Sequence, residues 1–66
     1  MNVWVIHVDF GGFPAEVVAV LDRRPSLKAL GEWGTNARLV LKKRDITIVT
    51  SDEGDISAER HRVRGR

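Results

Sequence analysis

Two histidines, one aspartate close to the first of them, and a concentration of lysine and arginine are the parts of this 66-residue chain with chemistry to offer. His7 and Asp9 are two residues apart, so on an extended strand both side chains leave the same face. A histidine–carboxylate pair can relay a proton. Arginines beside it can hold the charge of a phosphorane, as ribonuclease chemistry requires. His61 joins such a set only if its strand runs beside the first. Nothing in the spacing of these residues fixes their separation, and a chain this short rarely encloses a pocket, so a histidine-dependent ribonuclease is the remote alternative and the expectation is a protein that is not an enzyme. The imidazoles lack the local ligand spacing of a zinc site, so no metal is expected, and no other cofactor. Gly11 and Gly12 precede Phe13 and Pro14 without the lysine and glycine spacing of a nucleotide loop, and read as a turn.

The basic residues carry the stronger signal. A net charge of +2 conceals a division along the chain. Residues 37–50 hold Arg38, Lys42, Lys43 and Arg44 against Asp45. Residues 51–55 hold Asp52, Glu53 and Asp55 with no positive charge, and residues 56–66 hold Arg60, Arg62, Arg64 and Arg66 against Glu59. If the last three strands form a meander, Lys42, Lys43 and Arg44 meet Arg60, Arg62 and Arg64 at one end of the sheet, with Arg66 following and the acidic turn at the other end. Like charges at close range cost stability unless a partner compensates. Arginine suits the planar oxygen pairs of phosphates and carboxylates. The expected function is contact with nucleic-acid phosphates through this end. The alternative is a small adaptor or inhibitor that docks on an acidic protein partner. A membrane partner is not expected, because no amphipathic basic helix accompanies the charges. Trp33 lies over the open edge of a small core or offers bases a stacking platform.

The elements that must position these residues follow from the apolar pattern. Val3 to Val8 (VWVIHV) is a strand apolar on both faces, which places it centrally or at an oligomer contact. For residues 15–21, Pro14 suits a first helical position, Glu16 the first turn, and Val17, Val18 and Leu21 one helical face. A strand competes here, because the segment is rich in β-branched residues. A helix is preferred, since the crossover between Val8 and Ala37 needs something compact that covers a sheet. Pro25 stops that element, Ser26 to Leu30 forms a further helical turn, and Gly31 ends it. Leu39–Leu41 and Ile46–Thr50 are then two strands joined by a four-residue loop, with Leu41 opposite Ile46 and Leu39 opposite Ile48. A three-residue loop with Gly54 in the left-handed region leads to a last strand, with Thr50 opposite Ile56 and Ile48 opposite Ala58. Ala37, Leu39, Leu41, Ile46, Ile48, Ile56 and Ala58 should share the buried face. Arg38, Val40, Lys42, Thr47, Val49, Ser57, Glu59 and His61 should share the other. The expected fold is α+β, a small β-α-β-β-β domain with its helical segment packed on one face of a mostly antiparallel sheet.

Length and composition bound the rest. Residues 1–63 make a single α+β domain, followed by a basic flexible tail at 64–66. A chain of this size buries only about 60% of its unfolded surface. It has no cysteine, so no disulfide can compensate. Homodimerisation is the common remedy, with Val3 to Val8 near the contact. No apolar run approaches the ~20 residues of a membrane span, and no leader peptide is read at the N-terminus. A cytoplasmic location is expected.

Overall fold

The computed structural model describes residues 1–12 and 14–64. It has a five-stranded sheet of order β2-β1-β5-β4-β3, with every neighbouring pair antiparallel. The strands are β1 (Asn2–Asp9), β2 (Glu16–Leu21), β3 (Arg38–Lys42), β4 (Ile46–Thr50) and β5 (Asp55–Arg62). One short helix, α1 (Leu27–Leu30), continues into a 3-10 turn at Gly31–Trp33. The fold is thus a small α+β domain, with chain order β-β-α-β-β-β.

The long central pairing is β1 with β5, in unbroken register from Asn2↔Arg62 to Asp9↔Asp55. Alternation along both strands turns Trp4, Ile6, Val8, Ile56 and Ala58 to one side, where all are buried. Val49 and Leu30 complete this core at full burial, and Phe10, Ala19, Leu21, Trp33 and Ala37 pack around it. This side is the inner face. Fully burying such side chains contributes about 1.5–3 kcal/mol each. The helix has only one turn, but it is well founded. The Ser26 hydroxyl accepts from the Ala29 amide at 3.1 Å, capping a first-turn donor. Leu30 anchors it to the sheet while Leu27 stays exposed. Ser26–Leu30 is therefore helical as expected.

Glu16–Leu21 is a strand, not the helix expected over residues 15–21. Val17, Val18 and Val20 are β-branched residues that suit an extended backbone. Alternation sends Ala19 and Leu21 toward the core and Val20 away from it. Hairpin pairing with β1, from Trp4↔Leu21 to Val8↔Glu16, satisfies the backbone, with an irregularity between Ile6 and His7. The crossover is made instead by α1 and the 3-10 turn, which carry the chain from β2 at one edge to β3 at the other. In crossing the inner face they cover it.

Both later hairpins adopt a register different from the expected one. Thr47 lies opposite Ala58 and Val49 opposite Ile56, so Thr47 and Val49 point inward, while Ile46 and Ile48 point outward. The turn is tighter than a three-residue loop. Ser51 N donates to Gly54 O at 2.8 Å and Gly54 N returns to Ser51 O at 3.2 Å, leaving only Asp52-Glu53 between them. One residue fewer reverses the facing of β4. Gly54 does take positive φ, at +144°, and a β-carbon there would meet the Asp9 carbonyl oxygen at 2.5 Å. In the first hairpin Leu41 lies opposite Ile48 rather than Ile46. Lys43 N donates to Ile46 O at 2.8 Å across Arg44-Asp45, and a register shift falls between Leu39 and Leu41. Leu39 and Val40 on this edge strand remain exposed.

The connection into β3 is clamped to the β4–β5 turn. Glu53 accepts from the Thr35 amide at 2.6 Å and the Thr35 hydroxyl at 2.8 Å, and Asn36 donates to Asp52 at 2.6 Å. Asn36 adopts the left-handed region that the clamp needs, at φ 56°. The Thr35 hydrogen bonds hold the Glu53 carboxyl below its ordinary pKa.

Two predictions follow from this packing. Leu30→Ala should cost about 2–5 kcal/mol in urea unfolding, enough to threaten a domain this small. Thr47→Val should instead be neutral or stabilising by about 1–3 kcal/mol, because the Thr47 hydroxyl is buried with no partner among the described residues. A destabilised Thr47→Val protein would contradict this. For the clamp, Glu53 contributes stability that is present above the ordinary carboxylate pKa and is lost as pH falls through its lowered folded value. Thr35→Val should move the Glu53 titration back up toward normal, as read by NMR.

Candidate functional site

Antiparallel pairing fixes which side chains gather at each end of the sheet. One end holds the start of β1, the end of β2, the β3–β4 turn and the end of β5. The β3–β4 turn docks on β5 here, where the Arg60 amide donates to the Asp45 carbonyl at 2.8 Å. The β5 strand runs on beside β1, pairing Arg62 with Asn2, and the Val63 amide donates to the Met1 carbonyl at 2.9 Å. Lys42, Lys43, Arg44, Arg60, Arg62 and Arg64 belong to the strand ends and the turn on this side of the sheet. Arg66 lies outside the described residues.

These cations are not equivalent. Arg60 makes an ion pair with Asp45 at 2.5 Å, so it joins the turn to β5 and is already engaged. Lys42, Lys43, Arg44, Arg62 and Arg64 have no carboxylate partner among the described residues. Facing matters as well. Arg60 and Arg62 pair with Trp4 and Asn2, and Lys42 with Thr47, which puts these three on the inner-face side. A shallow hollow lined by Met1, Asn2, Asp45, Arg60 and Arg62 opens between them.

Arg24 is a member of this end that the sequence did not single out. It enters from the β2–α1 connection and lies over the Trp4 ring at 4.5 Å. Its guanidinium donates to the carbonyl of Lys43 and, at 2.5 Å, to that of Arg44. A cation so placed caps carbonyls that the tight turn leaves free, and the aromatic face beneath it adds cation–π attraction. Its partners are 19 and 20 residues away, so no local pattern announces it. Asp45, the lone acid in a basic run, was the visible half of the Arg60 pair.

The remaining candidates lie elsewhere. Trp33 is half-buried against the core. Its neighbour Gly34 sits so close to Ser51 and Ile56 that a β-carbon would overlap them, at the end opposite Arg60 and Arg62. His7 and His61 share the outer face, but His7 is opposite Ser57 and His61 opposite Val3. Four residues along the strand separate their rows by about 13 Å. His61 is instead 3.1 Å from Glu59, its neighbour along the strand. Val49 is fully buried, so it cannot contribute to a mixed patch with Val40 and Arg38. Among the described residues no group of three or more His, Asp or Glu side chains is placed to hold a metal ion, and no helix is long and apolar enough to cross a membrane.

The chain matches no protein-family model, and no curated protein or solved structure shows significant similarity to it.

Replacing Arg24 tests the internal support of this end. Arg24→Ala should lower unfolding stability by about 1–3 kcal/mol, from lost stacking and lost carbonyl contacts together. Arg24→Lys should recover little, because an ammonium lacks the planar fork. Arg23→Ala should change stability by less than about 0.5 kcal/mol, since among the described residues it pairs with the adjacent, exposed Asp22 alone.

Proposed function

We propose that this is a small non-enzymatic binding protein that contacts nucleic-acid phosphates through the basic end of its sheet. The observation that carries the reading is the concentration of Lys42, Lys43, Arg44, Arg62 and Arg64 at one end, where Asp45 is committed to Arg60. Cations gathered on one end of a sheet repel one another, and a polyanion relieves that repulsion while releasing its own counterions. The scaffold spends Arg24 and the Arg60–Asp45 pair on holding the β3–β4 turn against β5, which keeps these cations in place for a ligand. Contacts of this kind position a duplex or a single strand and carry little base discrimination. Trp33 packs at the far end, so base stacking on it is not part of the reading. A cysteine-free chain suits a cytoplasmic place of action.

Salt titration tests the proposal. Five phosphate contacts give a slope of about −4.5 in log affinity against log salt for duplex DNA. Replacing Arg62 and Arg64 together by alanine should reduce the slope by up to ~2 units and weaken all sequences about equally. Absence of binding at about 50 mM salt and ~10 μM protein, to duplex and single-stranded probes alike, would overturn the reading and leave an acidic protein surface as the partner to seek.

A further inference from the structure

Among the described residues no element covers the outer face of the sheet. One continuous row crosses it through Val20, Val5, Glu59 and Ile46, and the next carries Val17, His7, Ser57, Ile48 and Leu41. Val20 is 58% exposed, and Val5, Leu41, Ile46 and Ile48 are half-buried only by their neighbours. A sheet with a single covered face ordinarily turns polar residues to water. Here Val17 and Val20 on one side and Leu41, Ile46 and Ile48 on the other flank a polar strip formed by β5 and by His7 and Asp9 of β1.

That strip has an uncompensated end. Asp9 and Asp55 are directly opposite on neighbouring strands of the outer face, and neither has an ion-pair partner among the described residues. Like charges so placed are destabilising unless a cation stands near. At the other end of the same strip is His61.

We infer that the outer face is the interface of a homodimer in which a second copy packs sheet on sheet with its ends exchanged. Two aligned arrangements bring β5 onto β5 about a two-fold axis. An axis along the strands keeps the rows in step and stacks Glu59 on Glu59 and Asp55 on Asp55. An axis across the strands reverses the rows. It sets His61 against Asp55 of the second copy, Val20 against Val17, and Ile46 against Ile48. With that axis at the level of Ala58, charge selects the second arrangement, in which the valines of β2 meet each other and the isoleucines of β4 meet each other, while Val5 falls against His7 and Val3 against Asp9. Because β1 is paired on both sides, edge-to-edge association through β1 is closed, and its part in the contact is this face. The hollow beside Arg60 and Arg62 belongs to the inner-face side and stays open, so the dimer presents one basic end at each extremity.

Sedimentation equilibrium tests the interface independently of nucleic acid. The wild-type chain should give twice its 7.4 kDa mass at high micromolar concentration. Ile48→Glu and Val20→Glu should each give the single-chain mass with an unchanged far-UV spectrum. Val40→Glu, at an exposed position beside the β3 irregularity, should leave the dimer intact. His61→Asp should weaken dimerisation about tenfold, and adding Asp55→Lys should restore it. A wild-type mass of one chain overturns the proposal, as does a dimer that survives both Ile48→Glu and Val20→Glu. Failure of the rescue overturns the exchange of ends.

Discussion

The pairing of β1 with β5 is the constraint on which the rest of this molecule depends. It places Val8 against Ile56 and Ile6 against Ala58, four side chains that are buried together. Because the side-chain period of a strand is two, that one register decides the facing of every residue in both strands. It then propagates outward. The two-residue turn at Asp52-Glu53 transmits the facing of β5 to β4, which makes Val49 and Thr47 the inward pair. The Arg44-Asp45 turn carries it to β3, where a local shift lets the edge strand slip free of the rule.

The same pairing polarises the charge. With β5 running from Asp55 to Arg62, its acidic start lies beside the acidic end of β1, and its basic end lies beside the β3–β4 turn. A protein that concentrates like charges this way needs internal support. At the basic end that support is the Arg60–Asp45 pair and the Arg24 guanidinium stacked on Trp4. At the acidic end it is the Thr35 and Asn36 donors to Glu53 and Asp52. Both devices also tie connecting segments to the sheet; Asp45, Thr35 and Asn36 offset charge as they do so, whereas Arg24 is a further cation and acts by holding the turn.

The two faces of the sheet serve different ends. The inner face uses one helical turn and Leu30 to close a small core. Beyond the helix that same side carries Lys42, Arg60 and Arg62. The outer face keeps apolar residues that the single chain leaves in contact with water. For a domain of this length, whose own core is small, a second layer supplied from outside is the natural complement.

What the sequence determined by itself was local or periodic. The apolar, β-branched run of Val3 to Val8 marked β1, Ser26 and Gly31 bounded a helical turn, and Gly54 announced a position of positive φ. The separation of acidic from basic stretches is likewise a property of the sequence alone. Tertiary structure decided what those signals left degenerate. Residues 16–21 suit a strand or a helix by composition, and hydrogen bonding to β1 made them a strand. Both Ile46/Ile48 and Thr47/Val49 offer a plausible inward face. The choice fell to Thr47 and Val49 because β5 was already held by β1 and the turn contained one residue fewer than expected. Arg24 acquired its role only when the fold brought Trp4 and the carbonyls of Lys43 and Arg44 within its reach. Spacing along a chain fixes the facing of neighbouring residues, but contact between distant ones belongs to the fold.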